Sequence, residues 1–150
     1  MNNLDALLPS VKDTVNKFLK KLDAAGLKYA IIETRRTEAT QAAYYAQGRE
    51  PIETINALRQ LAGLGNISPI EAKNVITKAR KSRHQSGEAV DIVPVVDKKC
   101  LWVIKTPGDA ALYKAFGELA ESVGLSWGGR WTPLDKNGLG WDLPHYEVKA

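Results

Sequence analysis

The chain has 150 residues, 44% hydrophobic and 25% charged, with one cysteine and a formal net charge of +4. A chain of that length suits one domain and can bury roughly 70% of its unfolded surface. It needs neither a disulfide, which the lone Cys100 excludes, nor a structural metal to hold a core. No basic stretch leads into an apolar core at the start, and no apolar run approaches the ~20 residues of a membrane span. The expectation is a cytoplasmic chain with no stable membrane association. Its mild positive charge suits an acidic polymer such as nucleic acid or cell envelope.

In chain order, Val11, Val15, Phe18, Leu19 and Leu22 line one face of a predicted helix over 10–25, with Ser10 as N-cap and Gly26 as the stop. "KYAIIET" (28–34) predicts a strand and "TEATQAAYYAQG" a helix ending at Gly48. Residues 51–81 predict a helical insertion of two helices. The first starts at Pro51, and the second carries a capping box of Ser68, Pro69 and Glu71. "EAVDIVPV" and "CLWVIK" predict two strands joined by "DKK", with Cys100 as a buried, inert thiol. A helix follows from Asp109 to Gly124, then a Gly- and Trp-rich stretch and a last strand from His145 to Lys149. Helices followed by strands imply an α+β fold, a single domain over 1–150 with a small antiparallel sheet. The basic run "KARKSR" reads as a solvated helix end or as the rim of a site for an anionic substrate.

The chain's two histidines, His84 and His145, both lie near carboxylates. Asp91 interrupts an apolar strand. Ala89, Asp91 and Val93 share one face and Val90 and Ile92 the other. A buried carboxylate there needs a cation, a set of donors or a metal. His84 lies seven residues earlier, beyond a turn at Ser86 and Gly87. Two imidazoles and one carboxylate make a sound ligand set for a catalytic zinc that leaves its fourth position to water. Two hydrogen-bonded core histidines and an Asp paired with Arg or Lys would also satisfy the pattern. Asp142, three residues before His145, could carry a proton beside such a metal, or simply form a turn. Glu147 and Asp135 are its competitors.

Ser82, His84, Gly87, Ala89 and Asp91 fill the motif S-x-H-x-x-G-x-A-x-D, and Asp142 to Glu147 fill D-x-P-H-x-E. Together these resemble the zinc peptidases of the VanY and D-alanyl-D-alanine carboxypeptidase superfamily, peptidase family M15. They are most similar to its L-alanyl-D-glutamate endopeptidases, which include bacteriophage endolysins. "RTEATQAAYYAQGR", from Arg36 to Arg49, resembles the same subgroup. The resemblance implies a hedgehog/DD-peptidase-like fold, with His84, Asp91 and His145 as zinc ligands and Asp142 as the catalytic carboxylate. It implies that Arg36, next to Arg35, polarises the scissile carbonyl, and that Ser82 and Gln41 contact substrate. The chain departs from the family between Arg49 and Ser82, where relatives carry a shorter loop.

The resemblance further implies a metallopeptidase that cuts the L-Ala–D-Glu bond of the peptidoglycan stem peptide. Such a chain would act in host cell lysis as a phage or prophage endolysin. It would stay cytoplasmic until a holin-type pore released it to the periplasm and cell wall, and it would work as a monomer. A D,D-carboxypeptidase of the same superfamily and a non-catalytic cell-wall-binding relative are the alternatives. Nucleic-acid binding rests on charge and "KARKSR" alone and is set aside.

Overall fold

The computed structural model describes residues 4–34, 38–77 and 87–148. They fall into two compact units, one formed by 1–35 with 86–150 and the other by 36–85.

In the first unit, helix α1 (Pro9–Ala24) buries Val11, Val15, Phe18, Leu19 and Leu22, the predicted face. It starts one residue earlier than expected, and Ser10 is not its cap. Pro9 occupies the first turn, where its fixed φ and missing N–H suit a helix start. The boundary residue Leu8 instead donates its N–H to Gly87 O at 3.1 Å. The helix stops at Gly26 (φ 71°). Gly26 N donates to Asp23 O (3.0 Å) and Leu27 N to Leu22 O (2.9 Å). This double closure requires a left-handed residue at Gly26.

The sheet is antiparallel, in the order β1 (Tyr29–Glu33), β2 (Ala89–Val96), β5 (His145–Val148), β4 (Leu125–Trp127). The short β3 (Lys99–Cys100) also pairs with β2. Strand pleating divides β2 as expected. Val90 and Ile92 enter a core with Phe18 and Leu22 of α1 and with Tyr113 and Phe116 of helix α4 (Pro107–Ser122). Tyr146 of β5 joins them, its ring 4.8 Å from that of Phe18. Each such fully buried side chain contributes roughly 1.5–3 kcal/mol. Ala89 and Asp91, with His145 and Glu147 opposite them, take the other face.

Two predicted elements differ. Helix α4 begins at Pro107, because Thr106 and Asp109 form a reciprocal capping box that makes Asp109 the third helical residue and not the first. The strand expected over "CLWVIK" is only Lys99–Cys100. Asp97 and Lys98 adopt φ of 51° and 66° and turn the chain tightly. Leu101 N then donates to Pro94 O at 2.8 Å, but proline has no N–H to return and the ladder ends. Cys100 is therefore half-buried beside the turn, not a core thiol.

In the second unit, α2 (Glu38–Ala46) and α3 (Ile52–Leu61) are present. The second helix expected within 51–81 is absent over its described part, where a single 3-10 turn, Glu71–Lys73, stands in its place. Its predicted capping box forms, with Glu71 N donating to Ser68 Oγ at 3.2 Å. Asn74 N closes on Glu71 O at 3.0 Å, the 3-10 spacing, and the carbonyls there also take partners from the end of α2. Gln47 Nε2 binds Glu71 O and Gly48 N binds Ala72 O, both at 2.9 Å. Ala72 then packs with Ala46 and Ile55 in a small core of its own.

Candidate metal centre

Asp91 on β2 and His145 on β5 are directly paired across the sheet. His145 Nδ1 lies 3.5 Å from Asp91 Oδ1 and 3.9 Å from Asp142 Oδ2. The imidazole is buried, 6% exposed. Its other nitrogen, Nε2, is 2.9 Å from Glu147 Oε1. One ring thus separates two kinds of carboxylate: Asp91 and Asp142 lie on the Nδ1 side and Glu147 on the Nε2 side.

The chain from Gly140 to His145 is anchored along most of its length. Gly140 N donates to Gly129 O (2.6 Å), and Trp127 Nε1 donates to Leu143 O (2.7 Å). Ile92 N donates to Pro144 O (2.9 Å), and His145 N to Asp142 O (3.2 Å). Gly128 lies flat against Asp142, so a Cβ there would stand 2.1 Å from Asp142 O. Gly140 is equally confined, 2.5 Å from Gly128 O by the same measure. Trp131 covers the His145 ring at 4.8 Å between centroids, and Trp141 packs on Trp131 at 5.1 Å. Sequence reasoning missed these glycine and tryptophan supports. The signal for them was the Gly- and Trp-rich composition of 125–141, an unusual density of small residues beside large rings.

Burial opposes the imidazolium of His145, but hydrogen bonds to Asp91 and Glu147 and the charge of Asp142 outweigh it and raise its pKa to about 9. Three carboxylates around one imidazole therefore favour a cation. An imidazole nitrogen and the carboxylate oxygens of Asp91 and Asp142 lie together on the Nδ1 side, donor types that fit zinc chemistry. Among the described residues no three of His, Cys, Asp and Glu converge as a complete cage. The sheet supplies two of the three expected ligands, Asp91 and His145. The third, His84, lies outside the described residues, as do Ser82, Arg35 and Arg36. Gln41 is fully buried on α2 and donates to Thr77 Oγ1 at 3.4 Å. Asp135 is spent on its own turn, where Oδ1 accepts from Asn137 N (2.7 Å) and Leu139 N (3.0 Å).

The sheet thus brings a histidine and an aspartate face to face on its two central strands. Residues 76–148 match the family model described as D-alanyl-D-alanine carboxypeptidase, of peptidase family M15, and the resemblance of the two motifs to the M15 and VanY superfamily is borne out at that level. The fold is similar to that of the Serratia marcescens L-Ala D-Glu endopeptidase ChiX, with TM-score 0.58 and 18% identity over 98% of this chain and 84% of that one. It is also similar to a vancomycin resistance D,D-pentapeptidase, VanY, solved in complex with Zn(II), with TM-score 0.51 and 18% identity over 95% of this chain and 72% of that one. A third similar structure is the LD-carboxypeptidase LdcB, with TM-score 0.57 and 16% identity; the chain spans 58% of its length. No curated protein matches the sequence.

Proposed function

We propose that this chain is a zinc-dependent peptidoglycan peptidase that hydrolyses the L-Ala–D-Glu bond of the stem peptide. The observation that carries the reading is the cross-strand pair Asp91–His145 with Asp142 on the same imidazole nitrogen. His84, Asp91 and His145 would hold the metal. Bound there, zinc supplies a Lewis acid that polarises a peptide carbonyl and makes a water acidic near neutral pH.

The rest of the chemistry belongs to side chains. Asp142 takes the proton of the attacking water and returns it to the leaving amine. Its side chain is 34% exposed against 16% for Glu147, so Asp142 is the carboxylate a substrate can reach. Asp142 also stands on the Nδ1 side with Asp91, whereas Glu147 does not. Arg36 would polarise the carbonyl and Ser82 would contact the peptide, as the family resemblance implies, whereas Gln41, fully buried on α2, has no face open to a peptide. We further propose that the protein is a phage or prophage endolysin, acting as a monomer and reaching the wall through a holin-type pore. This rests on the likeness of Arg36–Arg49 to that subgroup. Among the described residues no helix is long and apolar enough to cross a membrane.

A D,D-carboxypeptidase is the second reading, favoured by the description of the matching family model and by the VanY fold. Digestion of purified peptidoglycan, with products read by mass, separates the two. Release of the stem peptide with a new D-Glu amino terminus supports the proposal, and loss of a single terminal D-Ala supports the second reading. Full activity in a strong chelator would sink both.

A further inference from the structure

We infer that Glu147 is a positioning residue for His145 and not a proton carrier, a role that rests on the zinc reading above. Its Oε1 lies 2.9 Å from His145 Nε2, hydrogen-bond distance, on the far side of the ring from Asp91 and Asp142. Its contact is shorter than the 3.5 Å from Nδ1 to Asp91 Oδ1, so Glu147 is the better acceptor for the proton of the neutral ring, which leaves the Nδ1 lone pair directed at Asp91. A histidine ligand needs this arrangement, because only an unprotonated ring nitrogen can bind a metal.

The backbone brings the two side chains to one face. His145 and Glu147 are two residues apart on β5, so both point to the same face of the sheet. Glu147 is held in register between Ala89 of β2 and Ser126 of β4. Its carboxylate is 16% exposed, so it meets the imidazole with little competition from water. Trp131 covers the ring at 4.8 Å, and a rotation that exchanged the two nitrogens would have to displace it. The sequence offers Asp142 and Glu147 as equal candidates for the base. The structure assigns them to opposite nitrogens and so to different work.

The test compares Glu147→Ala with Glu147→Gln. A Gln carbonyl still accepts from Nε2–H but carries no charge. We expect Glu147→Ala to weaken zinc binding by about 10- to 100-fold, as loss of a ligand's supporting partner does, with Glu147→Gln recovering most of that loss. In the metal-free protein at alkaline pH, the ¹⁵N signals of His145 should show the proton on Nε2 in the wild type and in Glu147→Gln, and a mixture in Glu147→Ala. Zinc affinity and proton position unchanged in Glu147→Ala would overturn the inference. So would loss of turnover in Glu147→Gln equal to that in Glu147→Ala at unchanged zinc affinity, the signature of a base. Absence of zinc binding by the wild-type protein would instead refute the zinc reading, while the proton position would still report on Glu147.

Discussion

The stretch from Gly140 to Glu147 and the stretch from Ile52 to Thr77 are held in opposite ways. The first reaches across the fold for its partners: Gly129 and Trp127 on one side, Ile92 of β2 on the other, and Gly128 pressed on its backbone. The second is bound mostly to itself and to the adjoining end of α2. Asn56 clasps Ile67 twice, Nδ2 to O at 3.4 Å and Ile67 N to Oδ1 at 2.9 Å. Arg59 Nε binds Gly65 O at 2.6 Å, and Gln60 Nε2 binds Asn66 Oδ1 at 3.3 Å. It leaves Leu61 81% and Ile70 78% exposed. Reacting groups must be held within about 0.5 Å of their working geometry. A segment tied to distant rigid strands can do that.

The contrast can be broken most severely at the chemistry. Asp142→Ala should lower turnover by about 10²- to 10⁴-fold while zinc stays bound, as measured by peptidoglycan digestion beside metal analysis. His145→Ala should lose both zinc and hydrolysis. If Asp142→Ala keeps near-normal turnover, the base is elsewhere. Next comes Gly128→Ala, where the new Cβ would meet Asp142 O at 2.1 Å. Relieving that overlap should cost about 1–3 kcal/mol of stability and should lower turnover beyond what the stability loss explains. Unchanged kinetics in the folded variant would show that the clamp does not place Asp142.

Changes in the self-contained stretch should matter less. Asn56→Ala removes both ends of the clasp on Ile67 and should destabilise by about 1–2 kcal/mol, read by thermal unfolding, with a smaller effect on turnover than Gly128→Ala. If the two variants lose turnover equally, the distinction between the segments fails. Leu61→Lys sharpens it from the other end. At an exposed position it should alter stability by no more than about 0.5 kcal/mol.

Much of the candidate metal centre was legible. Asp91 stood out because a carboxylate in the apolar run Ala89–Val93 needs a partner, and strand alternation already set it apart from Val90 and Ile92. The apolar face of α1 and its stop at Gly26 were equally plain. Helix ends and short strands were less so. Thr106 and Asp109 carry a readable capping box, which places the helix start two residues before the Asp109 that the apolar pattern suggests. Over its described part the second helix of 51–81 gave way to a 3-10 turn even though its own cap formed: Asn74 N closes on Glu71 O, and Gln47 and Gly48 bind the Glu71 and Ala72 carbonyls. The strand after Asp97 failed because Pro94 had no N–H to give. Local signals propose an element, and long-range hydrogen bonding decides whether it propagates.

The sequence by itself determined the α+β fold, through apolar periodicity and strand alternation, and showed through the cost of burying charge that Asp91 needs a partner; its two motifs carried the resemblance that names His84, Asp91 and His145 as expected ligands. Only the tertiary structure decided what each carboxylate near His145 does. Asp142 and Glu147 lie three residues before and two residues after the same histidine, and nothing local ranks them. The turn into β5 carries Asp142 to Nδ1 beside Asp91, and the pleat of the strand carries Glu147 to Nε2. That division depends on which way an imidazole faces across two paired strands, and such a pairing exists only in the folded chain.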